Sequence, residues 1–206
     1  MSRSSIPDLT EEHALRDTGH TVVAGLDEAG RGAWAGPVCA AAVVLPLDRE
    51  DLADLLDGVR DSKLLSPRGR DEFLLVIQDV ALGVGVGWAD AAEVDRFGVV
   101  TATRSAMKRA VKAMNAQMAR QAEALLIDYL LLPGVNLPQR ALPKADCRCL
   151  SVAAASIVAK VARDRLMIAL DARYPGYGFS QHKGYGTRQH REALSRLGPA
   201  PIHRMS

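Results

Sequence analysis

The segment Val22-Val23-Ala24-Gly25-Leu26-Asp27-Glu28 does most to restrict what this chain can become. Its first five residues are short, apolar and partly β-branched, the pattern of a buried strand. Two adjacent carboxylates then close it. Acids at the end of a buried strand demand a neutralising partner, because uncompensated buried charge is expensive. Ala29-Gly30-Arg31-Gly32 follows. Glycine lets the main chain approach a ligand closely, and the Arg31 guanidinium can meet an anion. Acids for a metal, a bare backbone and a guanidinium in one turn point to phosphodiester chemistry.

Strand and helix signals alternate through the rest of the chain. Gly36 to Leu45 reads as a second strand, and Arg60-Asp61-Ser62-Lys63 as a polar loop. Ser66-Pro67 opens a helix whose buried face carries Phe73, Leu74, Ile77 and Val80. Leu82, Val84, Val86 and Trp88 alternate with Gly83, Gly85 and Gly87, a strand whose bare face predicts a helix packed close over it. Asp90-Ala91-Ala92-Glu93 has the form of a capping box for a short helix ending at Gly98. A longer helix is expected to run to about Ala119, with Met107, Met114 and Met118 as core filler on its apolar stripe. Glu123 to Asp128 is another buried strand closed by an acid. Past Pro133, Pro138 and Pro143, Ser151 is expected to cap a helix through about Ala172, and Thr187 one that Gly198 closes. This alternation predicts an α/β fold, a central mixed β-sheet flanked by α-helices. Residues 1–20 read as a flexible lead-in and residues 21–206 as a single domain.

Charge narrows the function. The net charge is +2, yet residues 140–206 hold 12 Lys/Arg against 4 Asp/Glu, while residues 1–139 hold 14 against 20. A basic C-terminal third beside an acidic remainder fits a polyanion-binding face next to a carboxylate-rich metal site. No apolar run approaches the ~20 residues that span a bilayer. Three cysteines in no disulfide-framework spacing point to the cytoplasm, with Cys147 and Cys149 as reduced thiols. Asp27, Glu28 and Asp128 stand at strand carboxyl ends, where open α/β sheets bind ligands, and Asp146 just precedes the Ser151 helix. These are hard oxygen donors suited to Mg²⁺ or Mn²⁺, and no His/Cys cluster has zinc spacing. Taken singly, each acid also reads as a turn cap.

Several separate motifs together resemble the type 2 ribonucleases H, in particular bacterial ribonuclease HII. They are Asp27-Glu28-Ala29-Gly30-Arg31-Gly32 with Ala35-Gly36-Pro37-Val38, then Asp61-Ser62-Lys63, then Ala153 to Val161 with Arg163-Asp164, and finally His182-Lys183-Gly184-Tyr185-Gly186-Thr187. The resemblance runs in order from about Val22 to Arg204. It implies a ribonuclease H-like fold and four metal-binding catalytic carboxylates, Asp27, Glu28, Asp128 and Asp146, around a two-ion site for Mg²⁺ or Mn²⁺. It implies hydrolysis 5′ to ribonucleotides in RNA–DNA hybrids, and to single ribonucleotides in duplex DNA, leaving 3′-hydroxyl and 5′-phosphate ends. The implied role is ribonucleotide and primer removal by a cytoplasmic monomer. Gly30, Arg31 and Gly32 are then expected to sense the 2′-hydroxyl, with Tyr185 against the neighbouring sugar. Lys63, His182 and Lys183 are the expected phosphate contacts. Asp164 reads instead as a salt-bridging helix residue, and Arg163 and Arg165 either as phosphate contacts or as a wet helix face.

The chain departs from the family pattern at Tyr129 and Ala145, where relatives usually carry glycine. Tyr129 is expected to narrow the groove or touch substrate, while Ala145 is harmless unless its φ is positive. The chain stops just past Pro201-Ile202-His203-Arg204, where many relatives continue, and it shows no sliding-clamp peptide. The short polar lead-in is expected to leave no room for the extra N-terminal domain typical of ribonuclease HIII. One geometric conflict stands out. Adjacent strand residues point to opposite faces, so the first strand is expected to break at Glu28, or Glu28 to act by backbone or longer reach.

Overall fold

The computed structural model describes residues 6–206. Five strands, β1 (Val23–Ala29), β2 (Val38–Val44), β3 (Gly83–Ala89), β4 (Ala124–Asp128) and β5 (Gln139–Leu142), form one sheet in the order β3-β2-β1-β4-β5. The first three make an antiparallel meander, and β4 and β5 add parallel to β1. The sheet is therefore mixed, with β1 and β4 at its centre.

The helices are α1 (Thr10–Asp17), α2 (Leu52–Leu55), α3 (Pro67–Val80), α4 (Ala91–Phe97), α5 (Val99–Asn115), α6 (Leu150–Arg173), α7 (Phe179–His182) and α8 (Arg188–Leu197). On one face of the sheet, Ala106, Met107, Ala110 and Met114 of α5 pack on Leu26, Ala40 and Ala42. On the other, α3 and α6 bring Leu74, Ile77, Ala154 and Ile157 onto Val23, Ala41 and Val43. The bare face of β3 has the expected cause. A β-carbon on Gly85 or Gly87 would lie 2.2 or 2.1 Å from carbonyl oxygens of α5. Sequence-readable caps are in place: Ser66 accepts from the Gly69 N–H, Asp90 and Glu93 form the reciprocal box, and Thr187 accepts from the His190 N–H. The α5 helix ends at Asn115, about a turn earlier than its apolar stripe predicts.

Two expectations are corrected together. Ser151 does not cap α6; the cap position is Cys149, which supplies no side-chain acceptor. That vacancy is filled by a residue from the supposed flexible lead-in. The Glu12 carboxylate on α1 accepts from the Ser151 main-chain N–H (2.8 Å) and from its hydroxyl (2.6 Å). The first N–H groups of a helix lack intrahelical partners, and an anion there also suits the helix dipole. Glu11 adds ion pairs to Arg140 (2.7 Å) and Arg148 (2.9 Å). Residues 10–17 are thus a docked helix, and the part of the lead-in at 1–5 lies outside the described residues. Burial still pushes the Glu12 carboxyl above its ordinary value, outweighing the Ser151 bonds. Among the described residues, no helix is long and apolar enough to cross a membrane.

Removing the Glu12 carboxylate strands a buried N–H. Glu12→Ala is expected to lower the unfolding free energy by roughly 1–3 kcal/mol in a denaturant melt, and Glu12→Gln, which keeps an acceptor, by less. An unchanged Glu12→Ala midpoint would return residues 10–17 to the status of a lead-in.

Candidate active site

The first strand does not break at Glu28. It pairs with β2 residue by residue through Ala29. What stops is its other neighbour: the β1–β4 ladder ends at Leu26 and Ile127, and β4 itself ends at Asp128. Beyond that point β1 has an edge without a ladder partner among the described residues. Asp27 and Glu28, on opposite faces by strand alternation, therefore both border one open cleft of about 580 Å³, together with Asp128, Lys63, Arg31 and Tyr185. The geometric conflict is resolved by a gap in the sheet.

Asp146 adjoins this cleft in the 3₁₀ turn Ala145–Cys147, buried, with its carboxylate 3.5 Å from the Lys63 ammonium. The same turn orients Asp128, whose side chain accepts from the Ala145 N–H (2.8 Å). Ala145, where the resemblance leads one to expect glycine, carries no backbone strain, because the left-handed residue is its neighbour Lys144 (φ +56°). Tyr129 is different. It sits at φ +65°, a region that costs a side chain about 1–2 kcal/mol and that glycine enters freely. The residue is 65% exposed and does not line the cleft, so it does not narrow the groove.

The carboxylates outnumber their counter-charges. Asp27 is 5% exposed, and burial lifts its carboxyl well above the ordinary value, helped by the charges of Glu28 and Asp128 and opposed by a Glu28 N–H bond of 2.7 Å. Glu28 is raised by burial first and by Asp128, against the Arg31 guanidinium 3.6 Å away. One Glu28 oxygen, Oε2, is buried with no hydrogen-bond partner. Asp128 is raised by burial and by Asp146. Burial alone would lower the Lys63 ammonium, but Asp61, Asp146 and Asp27 outweigh it and hold it above the usual lysine range. An orphaned oxygen and clustered acids short of positive charge fit a divalent cation with hard oxygen ligands.

Asp61 belongs to this group, although the sequence reading left it out. Its carboxylate lies with those of Asp146 and the Cys147 thiol inside 4.8 Å. The signal was present in Asp61-Ser62-Lys63, but an acid there also reads as a local turn cap, which it is: it accepts from the Lys63 N–H (3.0 Å).

The glycine–arginine loop is fixed from within. Arg163 of α6 is fully buried and donates to the carbonyls of Pro37 (2.9 Å), Lys183 (3.0 Å) and Ala35 (3.1 Å). It is therefore neither a phosphate contact nor a wet helix face. A β-carbon on Gly30 (φ +87°) would lie 1.8 Å from its Nε, whereas one on Gly32 would meet nothing within 4 Å. Gly30 is required by what lies beneath it, and Gly32 is the residue open to a ligand. Arg204 holds the same loop through the Arg31 carbonyl (2.9 Å) and the Gly36 carbonyl (2.8 Å).

Tyr185 lines the cleft with the Arg163 guanidinium 5.3 Å from its ring centroid. Lys183 lies in an adjoining recess with Arg70 and Lys160, its ammonium bonded to the Ser180 carbonyl. Asp164 pairs with Lys160 (2.8 Å) and Arg70 (3.7 Å), as its helix position predicts, and Arg165 pairs with Asp71 (2.7 Å). His182 is the correction among the expected phosphate contacts. It is buried with both ring nitrogens engaged, by the Tyr177 carbonyl and the Gly184 N–H, so no donor remains for a phosphate.

A mixed sheet of this order, with acids gathered at the carboxyl ends of its central strands, defines the ribonuclease H-like class. Comparison with known proteins narrows it. The family model Ribonuclease HII matches residues 24–206. The chain is 52% identical over 199 residues to Ribonuclease HII of Chloroflexus aurantiacus, covering 97% of this chain and 92% of that one. It is 54% identical over 183 residues to Ribonuclease HII of Thermus thermophilus, covering 89% and 84%. Among solved structures, the PCNA:RNase HII complex from Archaeoglobus fulgidus matches with a TM-score of 0.71 at 27% identity, covering 89% of this chain and 94% of that one. The chain belongs to the ribonuclease HII family, and it is accordingly a nuclease of the ribonuclease H type.

A carboxyl raised in the folded state favours folding only while protonated. The stabilising contribution of Asp27 is complete below the ordinary 3.8 of an unfolded aspartate and is lost as pH rises through the elevated folded value. The metal-free protein is therefore expected to be destabilised by Asp27 at neutral pH. Asp27→Asn, measured with a chelator present, should melt higher by roughly 2–4 °C near neutrality, the shift produced by about 1 kcal/mol. A lower melting temperature would contradict the charge crowding described above.

Proposed function

We propose that this chain is a divalent-metal-dependent endoribonuclease that cuts the phosphodiester 5′ to a ribonucleotide, in RNA–DNA hybrids and at single ribonucleotides in duplex DNA, leaving 3′-hydroxyl and 5′-phosphate ends. The observation that carries the reading is the shared cleft of Asp27, Glu28 and Asp128, with its orphaned Glu28 oxygen, directly beside the open main chain of Gly32. Asp27, Glu28, Asp128 and Asp146 would hold Mg²⁺ or Mn²⁺ as two ions. Bound there, such ions supply the positive charge that activates an attacking water and stabilises the leaving oxygen.

The protein's own groups account for placement and selection. Lys63 is 75% exposed and only loosely paired, at 3.5 Å from both Asp61 and Asp146, so its ammonium can turn to a backbone phosphate. Arg31 retains N–H groups beyond its Glu28 contact for the same purpose. With no side chain on Gly32, the loop can come within hydrogen-bonding range of a 2′-hydroxyl, the one group that marks a ribonucleotide in a duplex. Tyr185 offers a flat face to the neighbouring sugar. A deoxynucleotide would leave the polar main chain of the loop without its partner, the kind of mismatch that discriminates strongly. Such an activity suits removal of ribonucleotides from DNA and of RNA primers.

A duplex with one embedded ribonucleotide, incubated with the protein and Mg²⁺ or Mn²⁺, should be nicked 5′ to that residue. Asp128→Asn should lose cleavage by about 10²-fold or more while keeping most duplex binding. An uncut duplex with either ion defeats the enzyme reading, a cut on the 3′ side revises the products, and an active Asp128→Asn removes Asp128 from the site.

A further inference from the structure

Three histidines that the proposed chemistry does not use, His182, His190 and His203, are buried together behind Tyr185. The His182 and His190 rings stack 4.4 Å apart, and Phe179 packs against all three. Their contacts permit one arrangement of protons. His203 Nδ1 lies 2.8 Å from the Ala200 N–H, which can only donate. A proton on Nδ1 would point at that N–H, so Nδ1 accepts from it, and the Ala200 carbonyl 3.1 Å away accepts from the His203 main-chain N–H (2.9 Å). The His203 proton is therefore on Nε2, 3.0 Å from Nε2 of His190. His190 accepts there and carries its own proton on Nδ1, which donates to the Tyr185 carbonyl (3.0 Å). Burial depresses both rings further toward the neutral form that this arrangement needs.

The two ends of this chain of bonds belong to the two parts of the proposed ribose reader. On the His203 side, the Gly36 N–H donates to Ile202 (2.8 Å), the Arg204 N–H to Trp34 (2.8 Å) and the Arg204 guanidinium to Arg31 (2.9 Å). That segment carries the Gly30–Gly36 loop. On the other side, Gly184 is tied to Trp34 and Ala35 by main-chain bonds. The Tyr185 peptide one residue on is oriented by the His182 carbonyl, the Thr187 N–H and His190.

We propose that His190 and His203 are positioning residues: the directed chain Ala200 N–H to His203 to His190 to the Tyr185 carbonyl sets Tyr185 against the Gly30–Gly32 loop. The inference rests on Tyr185 being the sugar contact, and the tests separate the two ideas. Long-range ¹H–¹⁵N correlation of the imidazole nitrogens in the wild-type chain should show the proton on Nε2 in His203 and on Nδ1 in His190. An Nε2-protonated His190 overturns the proposal and does not depend on any variant folding. In steady-state cleavage of a duplex with one ribonucleotide, His190→Ala should raise KM about tenfold with kcat little changed. His190→Asn, whose amide N–H replaces the Nδ1 donor, should restore most of that loss. Equal impairment of the two variants, or a fall in kcat alone, overturns the positioning role while leaving Tyr185 as sugar contact. In a Tyr185→Ala background, His190→Ala should add nothing, and a second full loss overturns the route through Tyr185. A Tyr185→Ala enzyme with wild-type KM sinks the sugar-contact reading and the positioning role with it.

Discussion

Excess negative charge at the carboxyl ends of β1 and β4 is the constraint around which the rest of the molecule is arranged. Burial first lifts the carboxyls of Asp27, Glu28 and Asp128; the charges of Glu28 and Asp128 add to it at Asp27, that of Asp128 at Glu28, and that of Asp146 at Asp128. Two nearby cations, Lys63 and Arg31, meet the cluster only at 3.5 to 3.6 Å. Such a cluster opposes folding unless a cation joins it, the familiar cost of holding functional groups in a strained electrostatic state. The sheet bears that cost because its two faces are sealed by tightly packed helices, with alanines and glycines letting α5 and α6 come close.

A buried cation organises the neighbouring loops without touching that charge. Arg163 has no carboxylate partner among its hydrogen bonds; three carbonyls satisfy it, and the Tyr185 ring lies near its guanidinium. Burial accordingly depresses its pKa. A guanidinium anchored by carbonyls fixes main chain rather than side chains. That is what a reader built from Gly30, Arg31 and Gly32 requires, since its polar groups belong to the backbone. Arg204 does the same from the C-terminal side.

Most local signals in the sequence proved readable, the Ser151 cap and the end of α5 excepted, and distant partnerships did not. The Asp90–Glu93 box, the Ser66 and Thr187 caps and the glycine face of β3 each depend on residues a few positions apart or on one packing partner, and all are present. The α1 helix escaped notice because its reason lies 139 residues away, in the Ser151 N–H that Glu12 satisfies. Arg163 and His182 were misplaced for a related reason. A charged or titratable side chain beside an active-site motif reads as solvent-facing until the carbonyls that surround it are known. The Asp27–Glu28 conflict was sound as a statement about one strand; its solution lay in where a different strand, β4, ends.

The charge-crowding account makes a direct claim about protons. Carboxyls held above their ordinary values release protons to an incoming divalent cation over the range of pH in which they are still protonated. Calorimetric titration of the metal-free wild-type protein with Mn²⁺, repeated at several pH values across the acidic range in buffers of differing ionisation enthalpy, reads that release as the dependence of observed heat on buffer. The account predicts net proton release on binding, and a marked reduction of both binding and release in Asp27→Asn. Binding with no buffer dependence, or unchanged binding by Asp27→Asn, would contradict it.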